Sequence, residues 1–539
     1  KRLEHNLFVS FEKLTKLMTH LKQIIEKEGT LLILFLTLQI NAQSNINVSN
    51  ANFFEGEPFL AIDPANDQHL VAAWMGFKVG EAIVIKTNYS DDGGITWTTP
   101  TTIAHEIAGN TSADVVLKYD GNGNLFMSYV DYESTNFTFG KVILRKSIDN
   151  GVSWGNSVEA MDAIVDCPNK LCVDRPFMVI DQSNNIFITS GNANQPSVIS
   201  PYNPYFVVST DGGVNFTTPA VMDGPNFLAG DNVVKQPIPS PTIAADGSFY
   251  AAYPSYVFTQ NFNAQLLLAK STDLGVNFTY SSIYAGSDAE SNPLAKRGFL
   301  LLADPTLTNH LVLFAILNYS GDADIYLTET IDVINWSAPS RVNQDLFGNG
   351  RMQDLVWADF NSNGDLGVCW RDRRNGATSG YQTETEIYAT VKYKDSSNFE
   401  NDFVISSQLV NHDAVLEGSG NDFMNVQFVG DTLYSVWGDV RTGTLNIFIN
   451  KTNVIDGTVS TFSIAKEEGI IGLYPNPSQE EIHIQNFDEI SDALLINSSG
   501  KVLRKVTIDK IDIRLLPKGT YLLTYNYKGK RISSKFVKN

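Results

Sequence analysis

The sequence predicts an all-β protein: a seven-bladed β-propeller of four-stranded antiparallel blades, with six blades as the alternative, followed by a small β-sandwich. Three observations carry this expectation. A turn motif recurs at near-constant spacing, apolar strands recur in step with it, and the pattern changes near residue 472.

The turn motif is Ser-x-Asp-x-Gly-x-x-aromatic. It occurs as Ser90, Asp92, Gly94, Trp97; as Ser147, Asp149, Gly151, Trp154; as Ser209, Asp211, Gly213, Phe216; and as Ser271, Asp273, Gly275, Phe278. The copies start 57, 62 and 62 residues apart, with weaker echoes from Asp332 to Trp336 and from Asp395 to Phe399. Each residue type has a physical task. The Asp accepts backbone N–H groups and closes a tight turn. The Gly takes a positive φ that a side chain would penalise. The aromatic ring packs back over the turn. The motif is therefore expected to be structural, a hairpin between the third and fourth strands of each repeat.

Apolar strands ending in Asp occur at 59–63, 115–120, 177–181, 242–246, 299–304 and 355–359, and a seventh runs over 424–431. Each precedes a short turn and a second strand, at 70–74, 125–129, 185–189, 249–253, 311–317, 366–370 and 433–437. The near-continuous apolar character of the first strands suits burial on both faces. Seven first strands imply seven blades. The last repeat lacks a fourth strand, and residues 45–49 are placed to supply it and so close the ring.

The expected organisation is residues 1–43 as N-terminal extension and signal peptide, 44–455 as propeller, 456–471 as linker and 472–539 as C-terminal domain. The apolar run Leu31-Leu-Ile-Leu-Phe-Leu-Thr-Leu-Gln-Ile40 follows Lys22 and Lys27 and precedes Asn41-Ala-Gln-Ser44. It is too short to span a bilayer as a helix and has a signal-peptide layout, with cleavage near Ala42 or Gln43 and Met18 as the expected start. No later run is long and apolar enough for a membrane span. Export makes a disulfide between Cys167 and Cys172 reasonable, and Cys369, in an apolar strand, reads as a buried thiol.

Composition narrows the function. Net charge is −20, and the basic residues concentrate toward the two ends, so the body is strongly acidic and a poor partner for nucleic acid. Seven His residues without metal-ligand spacing and three Cys point to no metal and no cofactor. The run Asp359-Phe-Asn361-Ser-Asn363-Gly364-Asp365 has Trp370 where a calcium loop needs Glu, and reads as a hairpin turn.

Polar residues fall in the loops that enter the first strands, where a propeller gathers them at its axis: Glu57, Asp114, Asp174, Arg175, Lys235, Gln236, Lys296, Arg297, Arg351, Asp354 and Asp422. Glu57, Asp114, Asp174 and Asp354 are the catalytic candidates. Arg175, Arg297 and Arg351, read as equivalent in three blades, are the substrate-binding candidates, because Arg suits carboxylate recognition. Trp370-Arg-Asp372-Arg-Arg374-Asn-Gly376 repeats as Trp437-Gly-Asp439-Val-Arg441-Thr-Gly443, with Trp74, Lys78 and Gly80 as a faded copy. It reads as an Asp–Arg pair fixing a loop.

The repeated turn resembles the Asp box of sialidases and related BNR-repeat proteins over residues 45–455. In that family three arginines hold a substrate carboxylate, a Tyr–Glu pair supplies the nucleophile and an Asp the acid/base. This chain departs from the pattern: Glu57-Pro58-Phe59 stands at the family's first Arg, and no Tyr–Glu pair is assignable. The resemblance implies a glycan or other extracellular polymer as partner, through binding. The alternatives are hydrolysis or lysis of acidic sugars in a sialidase-like way, or a non-catalytic adhesive role. At the C-terminus, Tyr474-Pro-Asn-Pro-Ser478, the Asn497 to Lys501 turn, Leu516 with Gly519-Thr-Tyr521, and Lys535-Phe-Val-Lys538 resemble the type A sorting domain of the type IX secretion system. That resemblance implies the secretion machinery as partner, passage through a Gram-negative periplasm, and a secreted or cell-surface location.

Overall fold

The computed structural model describes residues 45–539 except 169, 194, 196–197, 199–201, 225–236, 258–260, 286–297, 320–321, 418–419, 456–457, 462–472, 498–500 and 528–529. The expected signal peptide, and the candidates Lys235, Gln236, Lys296 and Arg297, lie outside the described residues.

Among the described residues the propeller region forms seven antiparallel sheets. Their first strands are Glu55–Asp63, Thr111–Tyr119, Asp174–Ile180, Ser240–Ile243, Phe299–Ala303, Gln353–Phe360 and Asn425–Val429, which define blades 1 to 7. Each first strand adjoins that of the next blade, and blade 7 adjoins blade 1, so the sheets close a ring. In blades 1 to 6 the four strands follow chain order from the inside outward.

Blade 7 differs. Its third strand, Asn446–Ile455, pairs with Ile46–Asn47 from the chain's other end, Ile46 opposite Ile449. It also pairs with Thr458–Thr461, so a strand stands inside the stretch expected to be linker. Ser49 Oγ donates to Asn446 Oδ1 at 2.9 Å, and Leu60 N donates to Asn425 Oδ1 at 3.1 Å. These bonds satisfy backbone and side-chain groups that an open edge would leave unpaired.

The Asp boxes form as the residue types require. Ser90 Oγ donates to Asp92 Oδ1 at 2.8 Å and accepts Gly94 N–H at 2.9 Å, while Asp92 accepts Thr96 N–H at 2.8 Å. The boxes of blades 2, 3 and 4 repeat the Ser–Asp and Ser–Gly bonds. Donors from Asn215 hold the Asp211 carboxyl down at about 2, so it stays ionised as a turn acceptor. The echo in blade 5 is shorter and lacks the Gly; Val333, at φ +58°, stands where Gly93, Asn150, Gly212 and Leu274 stand in the other boxes. The echo in blade 6 closes on Ser396, whose Oγ accepts Asn398 N–H at 3.1 Å.

The box glycines do more than turn the chain. A Cβ on Gly151 would stand 2.8 Å from Val71 of blade 1, on Gly213 2.5 Å from Leu144 of blade 2, and on Gly275 2.1 Å from Phe206 of blade 3. Each box therefore nests against the preceding blade and sets the spacing between sheets. By the alternation of strand direction the boxes lie at the end of the wheel opposite the loops that enter the first strands.

Residues 473–539 form a three-stranded and a four-stranded sheet, seven strands in all among the described residues. Ile482, Ile484, Leu495, Ile511, Ile513, Leu523, Tyr525 and Phe536 make their shared core. No helix among the described residues is long and apolar enough to cross a membrane.

Gly275→Ala is expected to destabilise the propeller by about 1–3 kcal/mol through overpacking against Phe206, beyond the cost of its backbone angle. Gly212→Ala also has positive φ but meets nothing within 4 Å, and serves as the backbone-only control. Urea unfolding of the two variants should show the larger loss for Gly275→Ala; equal losses would assign the box glycines to turn geometry alone.

Candidate functional site

Three first strands begin with the same irregularity. The pairing register slips between Gly56 and Phe59, between Ala113 and Val116, and between Asp174 and Phe177. At each slip one residue takes a left-handed conformation: Glu57 at φ +52°, Asp114 at +57° and Arg175 at +49°. Blade 6 slips in the same way between Asp354 and Trp357, with Leu355 at φ +55°. Such bulges re-aim a side chain at the rim of a sheet. Non-glycine residues bear this angle at a cost and persist where the surrounding fold imposes it.

The result is a cavity of about 680 Å3 at the axial end of blades 1, 2, 3 and 7. Glu57, Asp114, Asp174, Arg175 and Asp422 line it, with Phe54, Tyr132, Phe137 and Phe139 among its walls. Arg175 Nη2 donates to Asp422 Oδ2 at 2.7 Å, and Arg175 N donates to Asp114 Oδ2 at 3.1 Å. Asp422 N donates to Glu57 Oε1 at 3.1 Å. Glu57 Oε2 is buried, and among the described residues no donor meets it. Tyr132 and Phe137 stack with centroids 5.6 Å apart. Below the charged layer, Trp357 packs with Phe59, Phe177 and Phe423 at centroid distances of 5.7, 6.1 and 6.1 Å, an aromatic plug across the axis. The cavity is thus a blind cup with a carboxyl-rich inner layer.

Burial and close carboxyl neighbours set the protonation there. Burial pushes the Glu57 carboxyl well above its usual range, with Asp114 and Asp422 adding to the effect against Arg175. Asp174 is pushed up to about 8, by burial first and then by Asp114, with Arg175 opposing. The surrounding carboxylates raise the Arg175 guanidinium further, so it stays charged. The cup therefore holds carboxyl groups that burial keeps protonated near neutral pH beside a charged guanidinium.

The other sequence candidates sit elsewhere. Asp354 is no cavity acid. It is fully buried between Arg371 and Arg373, with Arg371 Nε donating at 2.7 Å and Arg373 Nη1 at 3.1 Å. Tyr381 OH donates to it at 3.2 Å. The two guanidiniums hold its carboxyl far below the usual range despite burial. Asp174 and Asp354 occupy the same place in their blades, but Asp174 faces Gly191 across the strand pair whereas Asp354 faces Arg371. The cross-strand partner supplies Asp354 with a guanidinium, whereas Asp174 has a glycine opposite and lines the cavity.

Arg351 also departs from the expected equivalence. Leu355, not Arg351, shares the position of Arg175, and Arg351 precedes its strand and donates to the Thr378 carbonyl. A clamp of Arg175, Arg297 and Arg351 in one cavity is therefore not formed, since Arg351 does not line it. The Trp-Arg-Asp motif is a set of local ties: Trp370 Nε1 donates to Asp372 at 2.7 Å and Trp437 Nε1 to Asp439 at 2.9 Å. Arg374 and Arg441 complete them. In the faded copy Trp74 donates instead to Glu55, which Lys86 neutralises.

Cys167 and Cys172 are bonded, with Cα atoms 6.1 Å apart, and Leu171 inside this loop lines the cavity. Cys369 is buried, and burial pushes its thiol up to about 12. Among the described residues no group of three or more His, Cys, Asp or Glu is arranged to hold a metal. The aromatic walls Tyr132, Phe137 and Phe139 were not anticipated from sequence. They stand at the end of the second strand of blade 2 and in the loop to its third, a place where the sequence shows only a polar-aromatic mixture.

Residues 472–539 match the secretion system C-terminal sorting domain family. The chain thus carries the address for type IX secretion to the cell surface or the extracellular space. No curated protein matches the chain. Solved structures similar to it include a protein of unknown function from Dyadobacter fermentans, 14% identical over 65% of this chain and 98% of that one, TM-score 0.42. A Penicillium chrysogenum α-L-arabinanase complexed with arabinobiose is 12% identical over 76% of this chain and 98% of its own, TM-score 0.42. The endosialidase of phage phi92 is 11% identical over 92% and 87%, TM-score 0.44. Likeness this distant says nothing of activity.

Two outcomes follow from the charges. Asp174 binds a proton in the folded chain between about pH 4 and about pH 8 that the unfolded chain has released, so its contribution to stability is present in acid and lost as pH rises through about 8. Asp174→Asn should therefore be more stable than the parent at pH 8, with the gap closing toward pH 5 in urea titrations. Asp354→Ala strands two buried guanidiniums and should cost about 3–5 kcal/mol in the same measurement.

Proposed function

We propose that this exported chain binds a glycan or similar hydroxyl-rich extracellular polymer in the axial cup. One observation carries the reading: Glu57, Asp114, Asp174, Arg175 and Asp422, from four blades, converge with aromatic walls on a cavity of about 680 Å3. Carboxyl groups accept and donate hydroxyl hydrogen bonds, aromatic rings offer stacking faces, and the volume suits a small saccharide. The sorting domain supports an extracellular partner.

Hydrolysis is a second reading, favoured by one feature. Asp174 stays protonated near neutral pH and can act as a general acid beside the Asp114 carboxyl. The purified chain is expected to retain saccharides on a glycan array, and Asp114→Asn to weaken retention at least tenfold. Absence of any retained glycan would overturn the binding reading. Release of chromophore from a panel of aryl glycosides, abolished by Asp174→Asn, would establish turnover.

A further inference from the structure

Blade 6 breaks the rule that the other boxes follow. In blade 1 the residue after the box aromatic donates to the residue before the box Ser, Thr98 N to Tyr89 O at 2.9 Å, and in blade 6 Glu400 N donates to Val391 O at 2.8 Å. The spacing is the same, so Lys392, Lys394 and Ser396 stand where Ser90, Asp92 and Gly94 stand in blade 1. Lysines replace both hydrogen-bonding side chains of the box, and a Ser without positive φ replaces the Gly. In blades 2 to 4 the box Gly packs directly on the preceding blade. Between blades 6 and 5 there is instead a cavity of about 560 Å3, at the opposite end of the wheel from the cup. The turns of blades 5 and 6 at this end, 304–310, 331–339, 361–365 and 393–399, all lie within the described residues.

Glu329 and His310 of blade 5 and Lys392 of blade 6 line this groove and hold one another. Lys392 Nζ donates to both oxygens of Glu329 at 2.9 Å. The ring nitrogens of His310 face Asp304 Oδ2 at 2.8 Å and Glu329 Oε2 at 3.3 Å. The His310 hydrogen bond and Lys392, against burial, hold the Glu329 carboxyl down at about 2, so it is an ionised acceptor at neutral pH. Charges paired and fixed in this way offer a ligand directed donors and acceptors already in place. Beside them stand the half-buried rings of Trp336 and Phe360, and Ile331, which also lines the groove, is 77% exposed.

We infer that the groove between blades 5 and 6 is a second binding site, for a neutral saccharide packed against Trp336 and Phe360 and hydrogen-bonded by the Glu329–Lys392 pair. A sugar ring has an apolar face for the aromatic side chains and hydroxyl groups that both donate to the carboxylate and accept from the ammonium. The volume is that of a small-molecule site. The inference stands on these residues alone and does not need the cup to bind anything. Two sites at opposite ends of the wheel give one chain two grips on an extracellular polymer.

The test is fluorine NMR of the full chain with its seven Trp replaced by fluorotryptophan. Trp336 reports the groove and Trp357, beneath the cup, reports the cup; each resonance is assigned from a Trp→Phe variant. The probes are cellotriose, xylotriose, maltotriose and the N-acetylglucosamine trimer, with trigalacturonate as an acidic probe and indole propionate as an aromatic probe that is not a sugar. At least one neutral trisaccharide is expected to shift the Trp336 resonance to saturation, with a dissociation constant of about 1 mM or tighter. Two variants, each checked for folding by circular dichroism, test the placement. One restores the box through Lys392→Ser, Lys394→Asp and Ser396→Gly; the other is Glu329→Gln. Each should weaken the Trp336 response at least fivefold. A shift of Trp357 alone overturns the groove site and leaves the cup reading standing. A shift of Trp336 alone supports the groove site and counts against the cup for those sugars. A response of Trp336 only to trigalacturonate or indole propionate overturns the ligand class, and no response to any probe overturns the site. An undiminished response in both variants overturns the placement.

Discussion

The whole arrangement depends on one closure. Ile46–Asn47 pairs with Asn446–Ile455, and this joins chain segments roughly four hundred residues apart into a single sheet. Without it the start of the third strand of blade 7, at Phe448 and Ile449, has an open outer edge. Arg175 and Asp422 are 247 residues apart in sequence and 2.7 Å apart in space only because the ring is complete. The energy of any one ladder bond is small, but the ring turns it into a constraint on every blade.

Closure alone would produce a solid hub, and below the rim it does, through Phe59, Phe177, Trp357 and Phe423. What makes a cup above the plug is the repeated bulge. A first strand without irregularity would send alternate side chains toward the axis and the next sheet in strict order. The inserted left-handed residue breaks that order one step above the aromatic layer, so Glu57, Asp114 and Arg175 arrive together. Blade 6 keeps the bulge but carries Leu355 there, so it adds no charged side chain at that position.

Much of this was legible in the sequence. The box spacing, the first strands and the tail pattern each follow a local rule, a turn chemistry or a periodicity, that the fold does not override. The ring's donor strand was legible because a repeat lacking its last member needs one from elsewhere. Of the site, Glu57, Asp114, Asp174, Arg175 and Asp422 could be picked out as polar residues entering inner strands. Their separation from Asp354 could not. Asp174 and Asp354 have the same local setting, and only the residue across the strand pair, Gly191 or Arg371, distinguishes them. That is a pairing register, and one-residue slips at bulges move it beyond the reach of sequence spacing. The supposed equivalence of Arg351 failed because it lies before its strand, Gln353–Phe360, in which Leu355 holds the position of Arg175.

The bridge between Cys167 and Cys172 bears on when the protein becomes competent. Its loop contributes Leu171 to the cup wall, and such bonds form in oxidising compartments rather than in the cytosol. The newly made chain inside the cell has every residue of the cup but an unfastened wall. The wall is thereby fastened only where the exported chain meets an oxidising compartment.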